Sequence, residues 1–258
     1  MIQFVFLTWY KHISDDGSYT INPEFINRVK EVVDYAYAED MFVILNIHHE
    51  EWVNSKTLDK DYEKIGEELA SVWMQLAEAF ADYDQHLIFE GMNEPRMAGT
   101  SIEWGGNQDG YEAVNYLNQV FVNTVRRSES GYNQERCLMI PGYAASNSEN
   151  IMESIAIPTV DGEAVNNLII SVHCYSPYNF CLSDNQTTFD PNNSADTADI
   201  DRMFSNIQKI FLDKGIPVVV GETSATAKNN VEEREKWAFY MGSKAAAYGV
   251  PIVIWDNG

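Results

Sequence analysis

Two glutamates follow strand-like apolar runs, and they are the residues of this chain whose type and position best suit chemistry. Glu94 comes just after the apolar run at residues 87–91, and Glu222 comes directly after the run at residues 217–221. An acid at the carboxyl end of a buried strand lies at the mouth of an α/β barrel, where such folds keep their chemistry. Two acids on different strands therefore predict a pair of carboxyl groups that act across one bond.

The elements that must position these acids alternate between strand-like runs and helical patterns. Strands are predicted at seven places, residues 4–8, 41–47, 87–91, 137–140, 167–173, 218–221 and 251–255. Helices are predicted at residues 23–39, 61–83, 110–127, 148–155, 199–214 and 231–247. Such alternation is typical of a parallel sheet with right-handed crossovers, whose strands are apolar throughout. Because a closed parallel barrel needs eight strands, the sequence predicts an α/β fold, a (β/α)8 TIM barrel that lacks its first strand and helix and its last helix.

The composition limits the classes of function. The chain has 258 residues, 45% of them hydrophobic, and a formal net charge of −22 at pH 7. That length suits one barrel, and no linker or repeat interrupts it, so residues 1–258 are predicted to form a single catalytic domain. So acidic a surface argues against nucleic acid and anionic membranes as partners, and a neutral substrate is the simplest expectation. No run reaches transmembrane length, and no signal peptide is recognised.

Each glutamate also has a purely structural interpretation. Glu94 could be a turn acid before a proline, and Glu222 could lead into a capped helix. The neighbours favour chemistry, because Asn93 can bond a substrate hydroxyl and a carboxyl shielded by aromatic rings has a raised pKa that suits a general acid. Tyr175 could donate a hydrogen bond that keeps Glu222 ionised and nucleophilic.

Histidines and aromatic residues follow other predicted strands. His48 and His49 end the second strand and His173 ends the fifth, where imidazoles can hold carboxylates or substrate hydroxyls. His48, His49 and Glu50 could instead be metal ligands, but they lack HExxH spacing and lie on no helix, so no metal or cofactor is predicted. Five aromatic residues are expected to be flat binding platforms, with a place in the core as the alternative for each: Trp52, Trp104, Tyr143, Tyr178 and Trp255.

The chain contains three cysteines, Cys137, Cys174 and Cys181. None forms a CxxC motif, so a cysteine-bound metal is not predicted. Cys137 lies in an apolar run and is expected to be a core thiol, whereas the sequence leaves open whether Cys174 and Cys181 pair.

Seven stretches together resemble glycoside hydrolase family 5, and within it the cellulase-like endoglucanases of the broad β-glucanase subfamily 4. They run in family order at residues 8–13, 43–49, 89–95, 139–145, 171–178, 221–223 and 255–258. The set is specific, although Asn93-Glu94-Pro95 alone would not be. The resemblance implies a (β/α)8 barrel and retaining hydrolysis of β-1,4-glucans by a secreted, monomeric enzyme without a cofactor.

The resemblance also implies individual roles. Glu94 matches the acid/base and Glu222 the nucleophile, with carboxyl groups roughly 5–5.5 Å apart as in retaining glycosidases. Asn93 would bind the sugar 2-hydroxyl. The other cleft residues implied by the match are His48, His49, His173, Tyr175 and Trp255, the last as the floor of the subsite at the scissile bond; Trp52, Tyr143 and Tyr178 are the further expected platforms.

The chain departs from the family pattern in two respects. It starts at the family's second strand and stops before the family's last helix. Phe4 stands where the family has an arginine beside the nucleophile. Loss of that buried cation is expected to raise the pKa of Glu222 and to weaken it as a nucleophile.

Three hypotheses for function follow. The first is an endo-β-1,4-glucanase that acts on a neutral β-glucan. The second is another hydrolase of the same fold, a xyloglucanase, mannanase or xylanase, with the choice set by the loops at residues 50–60, 96–109 and 176–198. The third is a catalytically impaired fragment that binds carbohydrate without cleaving it. Release of reducing sugar from defined polysaccharides discriminates among them.

Overall fold

A computed structural model of the chain describes residues 2–4 and 9–256, apart from the side chains of residues 2–4 and of Tyr10. The side chain of Phe4 therefore lies outside the described part. The chain divides into two compact units, residues 1–145 with 154–169 and residues 146–153 with 170–258. Among the described helices, none is both long and apolar enough to cross a membrane.

The first unit is built on four parallel strands that neighbour one another in chain order. They are β1 (Ile2–Phe4), β2 (Val43–Asn46), β3 (Leu87–Glu90) and β4 (Leu138–Ser146). Every residue of β2 and β3 is buried, as expected of parallel strands covered on both faces. In register, Asn46 pairs with Glu90, so two polar side chains meet at the carboxyl ends of these strands.

Three long helices belong to the first unit: α1 (Pro23–Tyr37), α2 (Leu58–Ala79) and α3 (Gln108–Arg126). The Asn107 side chain caps α3 by accepting a hydrogen bond from the backbone N–H of Gly110 at 2.9 Å. Helices α2 and α3 approach closely at Gly66, where an added Cβ would lie 2.9 Å from the ring of Tyr116. A short antiparallel hairpin, β5 (Thr159–Val160) with β6 (Glu163–Ala164), is absent from the sequence-based prediction because its strands are too short to show a period.

A buried arginine ties the end of α2 to the start of β3. Arg136 is 1% exposed, and its two Nη atoms donate to the backbone carbonyls of Phe80, Tyr83, Asp84 and Leu87 at 2.7 to 3.1 Å. Burial lowers the pKa of its guanidinium to about 10. The carbonyls at a helix C-terminus carry negative partial charge, which favours the cation and offsets this cost.

The second unit contains three strands that pair in parallel, β7 (Leu168–His173, from residue 170 onward), β8 (Val218–Thr223) and β9 (Ile252–Ile254). Its helices are α4 (Glu149–Glu153), α5 (Tyr178–Cys181), α6 (Ser194–Ile210) and α7 (Val231–Tyr248). The register shifts at the end of β7, so His173 pairs with Glu222. That shift brings two predicted site residues side by side.

The alternation of seven parallel strands with helices is confirmed within the described residues, most boundaries differ by a few residues, and three differences have a clear cause. The first strand is Ile2–Phe4, whereas residues 5–8 of the prediction lie outside the described part. Strand β4 continues past residue 140 to Ser146 despite Pro141, because its first eight residues are all buried and burial outweighs the missing N–H. Helix α6 begins before residue 199, since the Asn193 side chain caps it at Ala195, and a separate 3₁₀ turn, Leu212–Lys214, follows its end.

All three cysteines are free thiols. Cys181 donates from Sγ to the carbonyl of Ser176 at 3.3 Å, and burial raises the pKa of both Cys174 and Cys181. Cys137 is partly exposed rather than the core thiol that its apolar neighbours predict.

Candidate active site

Glu94 lies in the segment that follows β3, and it is held by an arginine from its own loop. Arg96 donates from Nη1 to the backbone carbonyl of Glu94 at 2.9 Å and to its carboxylate Oε2 at 3.3 Å. The two side chains are 12% and 11% exposed, so the pair is largely shielded from water. Sequence reasoning missed Arg96, although a cation two residues after a candidate acid is a usable signal.

A buried amide network orients Asn93, the neighbour of Glu94. Asn46 donates from Nδ2 to Glu90 Oε2 at 3.0 Å and to Asn93 Oδ1 at 3.2 Å. Because Oδ1 of Asn93 is an acceptor here, its Nδ2 points the other way, and this buried atom has no hydrogen-bond partner among the described residues. Asn93 thus presents an amide donor, which suits a hydroxyl ligand. Asn46 and Glu90 were missed as site residues; the signal was a polar residue at the carboxyl end of each of two apolar strands.

The loop after β2 carries the two histidines and one tryptophan of the prediction. His48 is fully buried, whereas His49 is exposed and takes a left-handed backbone conformation, with φ of 50°. Their rings meet edge to face at 4.1 Å between centroids. Adjacent residues that point to opposite environments are expected where a strand gives way to a turn.

Glu50 organises the tryptophans beside these histidines. It is 1% exposed; one carboxylate oxygen accepts from the backbone N–H of Trp9 and the other from Trp52 Nε1 at 3.1 Å. Trp9 in turn donates from Nε1 to the carbonyl of Asn46 at 3.0 Å. The Trp52 ring is therefore fixed by a buried carboxylate, a role for Glu50 that sequence reasoning did not assign.

Tyr143 in β4 supports the loop that follows Glu94. Its side chain is 1% exposed; the hydroxyl accepts from the backbone N–H of Met97 at 2.9 Å and donates to the carbonyl of Ile102 at 3.2 Å. Burial raises the pKa of this phenol. Tyr143 anchors the loop in this structure, and the role in substrate binding expected from the sequence stays a prediction.

In the second unit, Glu222 ends β8 among partners from β7 and the segment after it. Tyr175 donates its hydroxyl proton to Glu222 Oε2 at 2.8 Å, and Nδ1 of His173 lies 3.5 Å from the same oxygen. The side chains of His173 and Glu222 are 3% and 6% exposed. A hydrogen bond from a phenol stabilises a carboxylate, so Glu222 is arranged as an anion. The three predicted residues are thus brought together.

Close approach of β7 to β8 depends on the glycine before Glu222. An added Cβ at Gly221 would lie 2.7 Å from Ser171 Oγ and 3.2 Å from His173 Nε2. Beyond it, Thr223 donates from Oγ1 to the carbonyl of Cys174 at 2.6 Å. A side chain at residue 221 would therefore crowd Ser171 and His173, and glycine avoids this conflict.

Two further aromatic residues of the prediction lie in the second unit. Trp255 follows β9, donates its backbone N–H to the carbonyl of Thr223 at 3.0 Å and has a partly exposed side chain. Tyr178 begins α5 and is 65% exposed. Both rings are accessible enough to serve as platforms.

The pairing of the carboxyl groups of Glu94 and Glu222 across one bond stays a prediction.

Comparison with known proteins places this geometry in a family context. The model of the family described as cellulase (glycosyl hydrolase family 5) matches residues 3–258. Endoglucanase 1 of Ruminococcus albus is 44% identical over 252 residues, which are 97% of this chain and 59% of that relative. The chain therefore spans less than two thirds of that relative's length.

Solved structures of similar proteins also resemble this chain in fold. A GH5-4 broad specificity endoglucanase from Ruminococcus flavefaciens has a TM-score of 0.89 at 42% identity, over 97% of this chain and 70% of that one. A GH5-4 broad specificity endoglucanase from Ruminococcus champanellensis with bound cellotriose has a TM-score of 0.88 at 39% identity, over 97% and 71%. These similarities confirm the α/β fold of the TIM-barrel class. By its family match, its identity to an endoglucanase and its fold, the chain belongs to glycoside hydrolase family 5, the cellulase family.

Proposed function

We propose that residues 1–258 act as a single catalytic domain of a retaining endo-β-1,4-glucanase. The observation that carries the proposal is the anchoring of Glu222, whose buried carboxylate at the end of a parallel strand accepts a hydrogen bond from Tyr175 with His173 beside it. In a chain of this family, an oriented and dehydrated carboxylate at that place suits a nucleophile. Glu94, in the segment that follows β3, is the proposed acid/base.

The proposed reaction has two displacements. In the first, the carboxylate of Glu222 forms an ester bond to the anomeric carbon while the glycosidic C–O bond breaks, and Glu94 gives its proton to the departing oxygen. In the second, Glu94 takes a proton from water, the water oxygen attacks the anomeric carbon and Glu222 departs. This sequence requires carboxyl groups roughly 5–5.5 Å apart.

The remaining site residues are proposed to bind the sugar. Asn93 supplies an amide N–H to the 2-hydroxyl, a contact that strengthens in the transition state. The exposed His49 lines the cleft with the buried His48 packed against its ring, and the accessible aromatic residues offer flat apolar faces to the C–H faces of pyranose rings. The proposed platforms are Trp52, Tyr178 and Trp255. The buried Tyr143 is proposed to act on binding through the loop that it holds, and His173 and Tyr175 hold the nucleophile.

The proposed substrate is a neutral β-glucan polysaccharide or oligosaccharide. The formal charge of −22 disfavours anionic polymers, nucleic acids and anionic membranes. The words "broad specificity" in the names of two similar proteins support testing xyloglucan, mannan and xylan as alternatives. Secretion, a monomeric state and catalysis without a cofactor are part of the same proposal.

The test is reducing-sugar release from carboxymethylcellulose, xyloglucan, mannan and xylan by the chain and by its Glu94→Gln and Glu222→Gln variants. We expect release from at least one glucan, a loss of about 10³-fold or more in both variants, and no change in Glu39→Gln, an exposed control. NMR of the first product should show the β-anomer. Binding without release would support the impaired-fragment hypothesis instead, and an α-anomer would exclude the retaining mechanism.

A further inference from the structure

The Arg96 side chain contacts three other residues, Glu94, Glu103 and Trp104. Besides its two bonds to Glu94, its Nε donates to Glu103 Oε1 at 3.2 Å, and its guanidinium lies 4.5 Å from the centre of the Trp104 ring. A guanidinium that donates to two carboxylates and lies over an indole ring is restricted in its orientation. The contact to Glu94 is therefore held in place before any substrate arrives.

Glu103 is itself fixed by the loop. Its second oxygen, Oε2, accepts from the backbone N–H of Gly99 at 2.8 Å. Hydrogen bonds from Gly99 and Arg96 lower the pKa of Glu103, so it stays ionised and keeps Arg96 in position. The Tyr143 hydroxyl forms hydrogen bonds with the backbone of this loop at two positions, Met97 and Ile102. The path from the backbone through Glu103 and Arg96 to Glu94 is continuous and lies within the first unit.

The donor-only chemistry of arginine makes this contact directional. A guanidinium donates hydrogen bonds and accepts none, so the oxygen it faces, Oε2, is the one that stays unprotonated. The same Nη1 also bonds the Glu94 carbonyl, which ties the side chain to its own backbone and restricts its rotamers.

We propose that Arg96 is a positioning residue that orients the carboxyl of Glu94 for proton transfer to the departing oxygen, with Glu103 and Trp104 holding Arg96 in place. The inference rests on the proposed function, because it assigns a partner to the proposed acid/base. A lysine at this position would keep the charge but lose the fork that reaches Glu94 and Glu103 together. We therefore expect Arg96→Gln to lose the positioning of Glu94 and Arg96→Lys to retain only part of it.

The test uses leaving groups of different basicity, because a good leaving group needs no proton and a poor one does. The value of kcat/KM, which reports steps up to the glycosyl-enzyme, is measured for β-cellobiosides of 2,4-dinitrophenol, 4-nitrophenol and phenol. For Arg96→Gln we expect a loss of about 10- to 100-fold on the phenyl substrate and of less than about 3-fold on the dinitrophenyl substrate. Arg96→Lys should recover part of the phenyl activity.

A second variant guards against misfolding. Glu103→Gln leaves Arg96 present but weakens its anchor, and it should show the same dependence on the leaving group with a loss of about 3- to 10-fold on the phenyl substrate. Arg28→Gln, which breaks an exposed arginine–glutamate pair on α1, is the matched control and should leave every rate unchanged. Equal losses on all three leaving groups, or no loss, would overturn the proposal for Arg96.

The outcomes separate this inference from the proposed function. If the unmodified chain hydrolyses neither polysaccharide nor aryl cellobioside, the proposed function fails. If it is active and Glu94→Gln shows the dependence on the leaving group while Arg96→Gln and Glu103→Gln do not, only the role of Arg96 fails.

Discussion

The ends of β3 and β8 carry the two candidate carboxyl groups, and they hold them by different means. At the end of β3, Glu94 is bound by a cation from its own loop, two residues further along the chain. At the end of β8, Glu222 is bound by a neutral phenol that lies 47 residues away in sequence. The proposed acid/base is thus oriented by a local cation, whereas the proposed nucleophile accepts a hydrogen bond from a neutral donor that is distant in sequence.

The sharpest test of this difference compares Glu222→Gln with Glu94→Gln on activated substrates. Loss of the nucleophile should reduce kcat/KM about 10⁴-fold or more on every aryl cellobioside, because no ester can form. Loss of the proton donor should spare the dinitrophenyl substrate in this parameter. Steady-state kinetics with both variants measure the contrast, and Glu232→Gln, an exposed change on α7, is the control. Equal sensitivity of the two variants on the dinitrophenyl substrate would contradict the division of roles.

Removal of the phenol hydroxyl tests the support of Glu222. We expect Tyr175→Phe to lower kcat/KM by about 10- to 100-fold, since it deletes a hydrogen bond to a buried carboxylate. The loss should be the same for good and poor leaving groups, in contrast to that of Arg96→Gln. Tyr132→Phe, a change at an exposed tyrosine outside the proposed site, should have little effect. A loss confined to phenyl cellobioside would show that Tyr175 serves proton donation instead.

The tight approach of β7 to β8 can be tested at Gly221. Gly221→Ala places a methyl group within 2.7 Å of Ser171 Oγ, so it should cost about 1–3 kcal/mol in the free energy of unfolding and lower kcat. Urea denaturation measures the first effect. Adding Ser171→Ala should restore part of the stability, because it removes the atom in conflict. If the double variant is no more stable than the single one, the steric conflict of Ala at residue 221 does not involve Ser171 Oγ.

The smallest expected effect concerns the platform held by Glu50. In Glu50→Gln an amide N–H replaces one of the two acceptor oxygens, so Trp52 or Trp9 loses its partner. We expect KM for cello-oligosaccharides to rise about 3- to 10-fold, with kcat within about 2-fold. Glu51→Gln, an exposed neighbour, is the matched control. A fall in kcat with unchanged KM would show that Glu50 supports the chemical step rather than substrate binding.

Much of the fold follows from local pattern. The strands around residues 43–46, 87–90 and 218–223 are apolar up to their carboxyl ends, and burial on both faces makes such runs easy to recognise. Strand β4 was predicted too short because a proline and a glycine interrupt its pattern, and the hairpin of β5 and β6 was missed because two-residue strands have no period. In each case tertiary burial or pairing outweighed the local signal.

The candidate site likewise has some features that the sequence predicts and others that only the structure shows. The sequence by itself determined the family, the two strand-end glutamates and the residue types around them, because motifs of fixed spacing survive as strings of letters. Only the tertiary structure decided that Glu50 holds Trp52, that Asn46 turns the Asn93 amide and that Arg96 reaches both Glu94 and Glu103. Hydrogen bonds depend on distances and angles between side chains, and those quantities are set by packing rather than by order along the chain.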